Sequence, residues 1–167
     1  MVKLRPVVGT DLNYFSKWWR DEDLLRVTSG KNEALSNVAV ANYFRSIKTT
    51  SSALHFMVDT EDGTIGHVSL QQREEGWWET QIVIGEKTAQ GKGFGPEAIK
   101  LLLEKAREQR INQIYLEVRP ENVKAIGAYE KVGFSRKGDT IFTGNPDQPE
   151  LIRMEFHPDA MAGPILT

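Results

Sequence analysis

A mixed α/β fold, with helices on both faces of one sheet, is the class this sequence predicts. Three observations carry it. Short runs of alternating apolar residues recur along the chain. Helical spacing of apolar residues takes over between them. Two strand–turn–helix units stand in succession in the second half. The implied element order is βααβββαβαββ.

Each element has its own signal. Residues 2–8 alternate as a strand. Thr10 can cap a helix that carries Leu12, Phe15 and Trp19 on one face. A polar, irregular stretch is expected over residues 21–37, followed by a helix over 38–47. Residues 54–58 and 64–72 read as a hairpin around Glu61-Asp62-Gly63. Residues 77–84 form the next strand. After Pro96, which suits a first helical turn, Ile99, Leu102, Leu103 and Ala106 mark one helical face. Residues 114–118 alternate again, and Asn122 opens a helix with Ala125, Ala128, Tyr129 and Val132, closed by Gly133. Residues 140–143 and 151–156 are the last strands, joined by the turn-rich Gly144-Asn145-Pro146-Asp147. With no linker, repeat or low-complexity tract, the 167 residues are expected to form a single domain, with a core over about 2–157 and a tail over 158–167.

Composition narrows the function. Against 23 acidic residues stand 21 Lys and Arg, a net charge of −2, and no basic block offers a nucleic-acid surface. No apolar run is long enough to cross a membrane and no signal-peptide core opens the chain, so a cytoplasmic protein without membrane or nucleic-acid partners is expected. Cysteine is absent, which removes disulfides, thiolate metal ligands and any acyl-cysteine intermediate. The three histidines have no metal-ligand spacing, so no metal is expected.

The most informative segment is Gln90-Gly91-Lys92-Gly93-Phe94-Gly95, set between a strand and a helix. Glycines there permit a tight loop that aims free amides and a helix N-terminus at one point, an anion site. No Ser or Thr follows the lysine as a Walker loop requires, and Pro96 stands where a dinucleotide fingerprint needs its third glycine. What fits is Gln/Arg-x-x-Gly-x-Gly/Ala, on Gln90, Gly93 and Gly95. A second string follows: Asn122-x-x-Ala125-x-x-x-Tyr129-Glu130-Lys131-x-Gly133-Phe134.

Together, in this order, the two strings resemble the signatures of the GNAT superfamily of N-acetyltransferases, closely over residues 79–137. In look the chain is most similar to the branch of ribosomal-protein N-terminal (alanine) acetyltransferases, with aminoglycoside and polyamine acetyltransferases as relatives. The resemblance implies a sheet splayed at a central parallel pair of strands, into which acetyl-CoA enters as cosubstrate. It implies direct transfer to a primary amine, either a protein N-terminus or a small cationic molecule such as an aminoglycoside or polyamine, by a monomer or homodimer. A different class, a non-catalytic acyl-CoA sensor, remains a second reading.

The resemblance also assigns residues. Ile82, Val83 and Ile84 present backbone groups to the pantetheine arm. Gln90, Gly91, Lys92, Gly93, Phe94 and Gly95 hold the diphosphate, where Pro96 removes one amide found in other members. Asn122 is a cofactor contact, a helix cap, or both, and Lys131 either reaches the ribose phosphate or is simply solvated. Tyr129 is the acid for the departing thiolate, or a buried aromatic. Glu79 is the base or a solvated carboxylate, and also a candidate acceptor contact. Trp18 and Trp19, near Asp21, Glu22 and Asp23 and with Trp77 and Trp78 nearby, either line the acceptor side, where aromatics beside carboxylates suit a cation, or are core residues with one half-exposed ring. His67, His55 and His157 are weaker candidates for a catalytic role.

Overall fold

The computed structural model describes residues 1–28, 35–146 and 149–158. Its seven strands make one sheet in the order β1-β2-β3-β4-β5-β7-β6. These are β1 (Lys3–Pro6), β2 (Ala53–Thr60), β3 (Gly63–Gln72), β4 (Trp78–Ile84), β5 (Ile114–Val118), β6 (Phe134–Phe142) and β7 (Glu150–Phe156). Every neighbouring pair is antiparallel except β4 and β5, which run parallel.

Two apolar clusters cover the two faces. On one face, α4 (Phe94–Glu108) and α5 (Val123–Val132) bury Ile99, Leu102, Leu103 and Ile126 against Val68, Leu70, Ile114, Leu116 and Met154. On the other, α1 (Leu12–Trp18) and α3 (Asn37–Thr49) bury Phe15, Trp18, Val40, Phe44 and Ile47 against Met57. Alternation along each strand sends neighbouring residues to opposite clusters, which is the pattern read from the sequence.

Three local expectations need correction. The helix expected to start at Thr10 is preceded by a 3-10 turn, Gly9–Asp11, and the organising side chain is Asp11. Its buried carboxylate accepts the Val8 N–H at 2.8 Å and both terminal nitrogens of Arg5 at 2.8 Å. Burial opposes that charge, yet the Arg5 and Val8 bonds hold the carboxyl below the usual range. Within the stretch expected to be irregular lies a further helix, α2 (Glu22–Thr28). Asp21 caps it by accepting the Leu24 N–H at 3.2 Å, and Leu24 and Leu25 are buried. Two turns are too short to show helical periodicity. The strand expected over 140–143 begins instead at Phe134, directly after Gly133 (φ 121) ends α5. An irregularity between Lys137 and Ile141, with Gly138 at φ 66, hid this strand from its alternation. Asp147 of the expected turn, and the tail beyond Pro158, lie outside the described residues.

Candidate active site

The site begins as a defect in the sheet. β4 and β5 are in register only at Trp78↔Ile114 and Glu79↔Tyr115. Beyond that, residues 116–118 pair on their other side with β7, and residues 80–84 lose their β5 neighbour. The Trp78 N–H donates across to Gln113 O at 2.8 Å, so it points toward β5. In an antiparallel ladder alternate residues turn the same way, so the amides of Thr80, Ile82 and Ile84 also point into the opening. Val83 has the other parity: its amide serves the ladder with β3, opposite His67, so only its side chain is left to face the cavity. That corrects the expectation that all three strand residues offer backbone groups.

A cavity of about 480 Å³ fills the opening. It is reached from both faces of the sheet. From the α4/α5 face come Ile82, Ile84, Gly95, Ile99, Asn122 and Tyr129. From the α1/α3 face come Trp19, Glu79, Gln81, Val83 and Glu117. Glu79 and Tyr115 are register partners, and Glu117 lies two residues on, so the two carboxylates share that second face.

The glycine loop closes one end. Gly91 (φ 72) and Gly93 (φ 84) occupy left-handed backbone. A Cβ at either would meet nothing within 4 Å, so conformation rather than crowding requires glycine there. Among the described residues, no protein acceptor takes the amides of Gly91, Lys92, Gly93, Phe94 or Gly95. Five unpaired donors ahead of a fifteen-residue helix suit a diphosphate. The Gln90 side chain turns away from that anion site. Its amide donates to Ile84 O at 2.9 Å and ties the loop to the end of β4. Lys124 on α5, which sequence reasoning missed, donates to Gly91 O at 3.3 Å and brings a cation to the loop. Its helical spacing from Asn122 gave no sign of this, because the contact spans 33 residues. Asn122 caps α5 by accepting the Ala125 N–H at 3.3 Å, which leaves its own amide hydrogens free toward the cavity. Lys92 and Lys131 are exposed, and neither lines this cavity.

The titratable groups divide by environment. Burial raises the Tyr129 phenol above its ordinary value, so it keeps its proton through neutral pH. Glu79 is held by Arg73 at 2.7 Å. Glu117 forms no such ion pair among the described residues. Lost hydration first, then the Glu79 charge, raise its proton affinity, while Arg153 and Arg73 oppose the rise. Glu117 was not singled out in the sequence, where it reads as an outward position of a short strand.

The aromatic expectations separate. Trp18 is 1% exposed and does not reach the cavity, so it is the core residue of the pair and not a lining of the acceptor side. Its indole donates to Glu86 at 3.1 Å, and its ring lies so close to Gly85 that a Cβ there would sit 2.3 Å away. Trp19 does line the cavity, packed edge-on to Tyr43 at 5.7 Å. Trp77 stands against Tyr115 at 6.2 Å, and Trp78 packs into the α4 cluster. Lys87 reaches Asp21 at 3.6 Å. His67 is buried against Phe15 and bonded to His55 at 3.0 Å, away from the cavity, and His157 meets Ser135 at 2.6 Å.

A sheet parted at one parallel pair, with free strand amides on one side and a glycine loop at the end, defines a protein that binds an acyl-CoA between two strands. Residues 2–135 match the acetyltransferase (GNAT) domain, and the chain belongs to that family. It is an acetyl-CoA-dependent N-acetyltransferase. It is 30% identical to the spermidine N(1)-acetyltransferase of Escherichia coli K12, over 92% of this chain and 84% of that one. It is 26% identical to the aminoglycoside N(6')-acetyltransferase type 1 of Klebsiella pneumoniae, over 92% and 82%. In fold it is similar to the spermidine N-acetyltransferase of Vibrio cholerae solved with CoA and spermine (TM-score 0.77, 23% identity, 93% and 94% covered). It is equally similar to an aminoglycoside acetyltransferase solved with coenzyme A and kanamycin (TM-score 0.78, 20% identity, 97% and 98% covered). The ribosomal-protein branch expected from the sequence is not represented among these relatives.

Proposed function

We propose that the chain transfers the acetyl group directly to a small cationic primary amine, with Glu117 as base and Tyr129 as acid. The carrying observation is the cavity that passes through the sheet, with the phenol entering from one face and two carboxylates from the other. The unpaired loop amides and the Asn122 amide fit the diphosphate and pantetheine arm of acetyl-CoA, which supplies the activated acetyl group. The Ile82 or Ile84 amide is placed to donate to the thioester carbonyl oxygen as negative charge develops there. Tyr129 gives its proton to the departing thiolate. Glu117, without an ion pair among the described residues, takes the proton that the attacking amine must lose. Glu79, anchored by Arg73, then serves mainly to hold the incoming ammonium.

The choice of a small amine rests on the paired carboxylates at the mouth and on the acceptors named for the two relatives. The test is acetyl transfer from acetyl-CoA to three acceptors, read by mass: spermidine, kanamycin and a peptide with a free N-terminus. One or both small amines should gain about 42 Da, roughly tenfold or more faster than the peptide, a difference of about 1.4 kcal/mol in barrier. Acetylation of the peptide alone would overturn the reading.

A further inference from the structure

Arg153, on β7 between β5 and β6, is held on more than one side. Its guanidinium carbon lies 3.8 Å from the Tyr115 ring centroid and 4.8 Å from that of Trp77. Its Nε donates to Glu155 at 2.9 Å. Arg153 on β7 is the register partner of Glu117 on β5, so the two side chains leave the same face from adjacent positions. Tyr115, the platform for the guanidinium, stands two residues before Glu117 on the same strand and pairs with Glu79 across the start of the opening. A free arginine side chain would swing with solvent. This one cannot, because stacking and the Glu155 bond fix its plane.

We propose that Arg153, clamped by Trp77, Tyr115 and Glu155, is a positioning residue whose fixed charge acts across the β5–β7 pair to favour the ionised Glu117 carboxylate during acetyl transfer. The inference rests on Glu117 being the base. The charged and titratable groups that face Glu117 are Glu79 and Arg73 from the β3–β4 side, Tyr115 on its own strand, and Arg153 and Glu155 on β7; Arg119, just past the end of β5, pairs with Glu121. Of these cations, Arg153 alone occupies the register position opposite Glu117. Arg73 is paired with Glu79 as Arg153 is with Glu155, so it is the register position that sets Arg153 apart.

The test is the pH dependence of kcat/KM in the intact protein, for whichever amine it acetylates. Glu117→Gln should abolish the acid limb and lower the rate by roughly a hundredfold or more. Arg153→Met keeps the apolar stem on Tyr115 and removes the charge, and should move the acid limb up by roughly one pH unit. Arg153→Lys should leave the limb near its parent position. Glu155→Gln, which leaves the Arg153 charge uncompensated, should move it down. A limb that stays put in Arg153→Met, with Glu117→Gln behaving as expected, overturns the role of Arg153 alone. An unaltered limb in Glu117→Gln overturns the base assignment and this inference with it. If Arg153→Met fails to fold, the Glu155→Gln shift decides: no downward movement refutes the coupling.

Discussion

In the proposed mechanism Tyr129 serves the chemistry and Gln90 the binding. The Tyr129 hydroxyl sits where burial keeps it protonated, and its ring packs edge-on to Phe134 at 6.3 Å. Tyr129→Phe keeps that packing and removes only the hydroxyl group. Turnover should fall by about two orders of magnitude, while the dissociation constant of acetyl-CoA, measured by calorimetry, stays within about twofold. Gln90 acts the other way. Its bond to Ile84 O closes the turn between strand and loop and so fixes where the loop amides point. Gln90→Ala should weaken acetyl-CoA binding by about tenfold, the equivalent of one hydrogen bond, with kcat changed far less. A variant with lower kcat and unchanged cofactor affinity would place Gln90 in the chemistry instead.

Among the elements, α1 and the end of β4 are tied together at Gly85 and Glu86. Trp18 lies flat against Gly85, and its indole N–H and Lys17 both reach Glu86, at 3.1 Å and 2.7 Å. This stitches α1 to the segment that leads into the glycine loop. Gly85 therefore has no room for a side chain, since the Trp18 ring atoms would lie 2.3 Å from a Cβ. Gly85→Ala must push α1 from the sheet or tilt the strand end. It should cost about 1–3 kcal/mol of stability by denaturant unfolding and also raise the KM for acetyl-CoA. Loss of stability with an unchanged KM would mean that the strain is absorbed by α1 and never reaches the loop.

Over the whole molecule, what was legible in the sequence followed from locality. The glycine loop and the α5 signature announced themselves because turn chemistry and helical spacing act over a few residues. Asp11, α2 and the early start of β6 did not, since their signals are a buried salt bridge, two turns and a bulged strand. Glu117 and Lys124 escaped for the same reason: one gains meaning from the parting of β4 and β5, the other from a contact across 33 residues. The His55–His67 pair is also visible only in three dimensions, and it sets a property of the entire fold. The two rings stack at 14° with a 3.0 Å bond between Nδ1 and Nε2, covered by Phe15 of α1. Burial lowers His55 to about 4, and burial plus the neighbouring ring lowers His67 to about 3, against which Asp11 pulls weakly. In the unfolded chain both titrate near 6.5. The folded state therefore binds fewer protons than the unfolded state between about pH 6.5 and pH 3–4, and stability is lost as pH falls through that window. Above about pH 7 the contribution is fully present and the melting temperature should be flat with respect to these groups. Below pH 6.5 stability should decline, with a slope of up to about 1.4 kcal/mol per pH unit for each proton taken up. His67→Gln, followed by thermal melts from pH 7.5 to 4.5, should flatten this decline even if it lowers the plateau. A parent-like slope in that variant would show that carboxylates, not the buried histidines, govern acid unfolding.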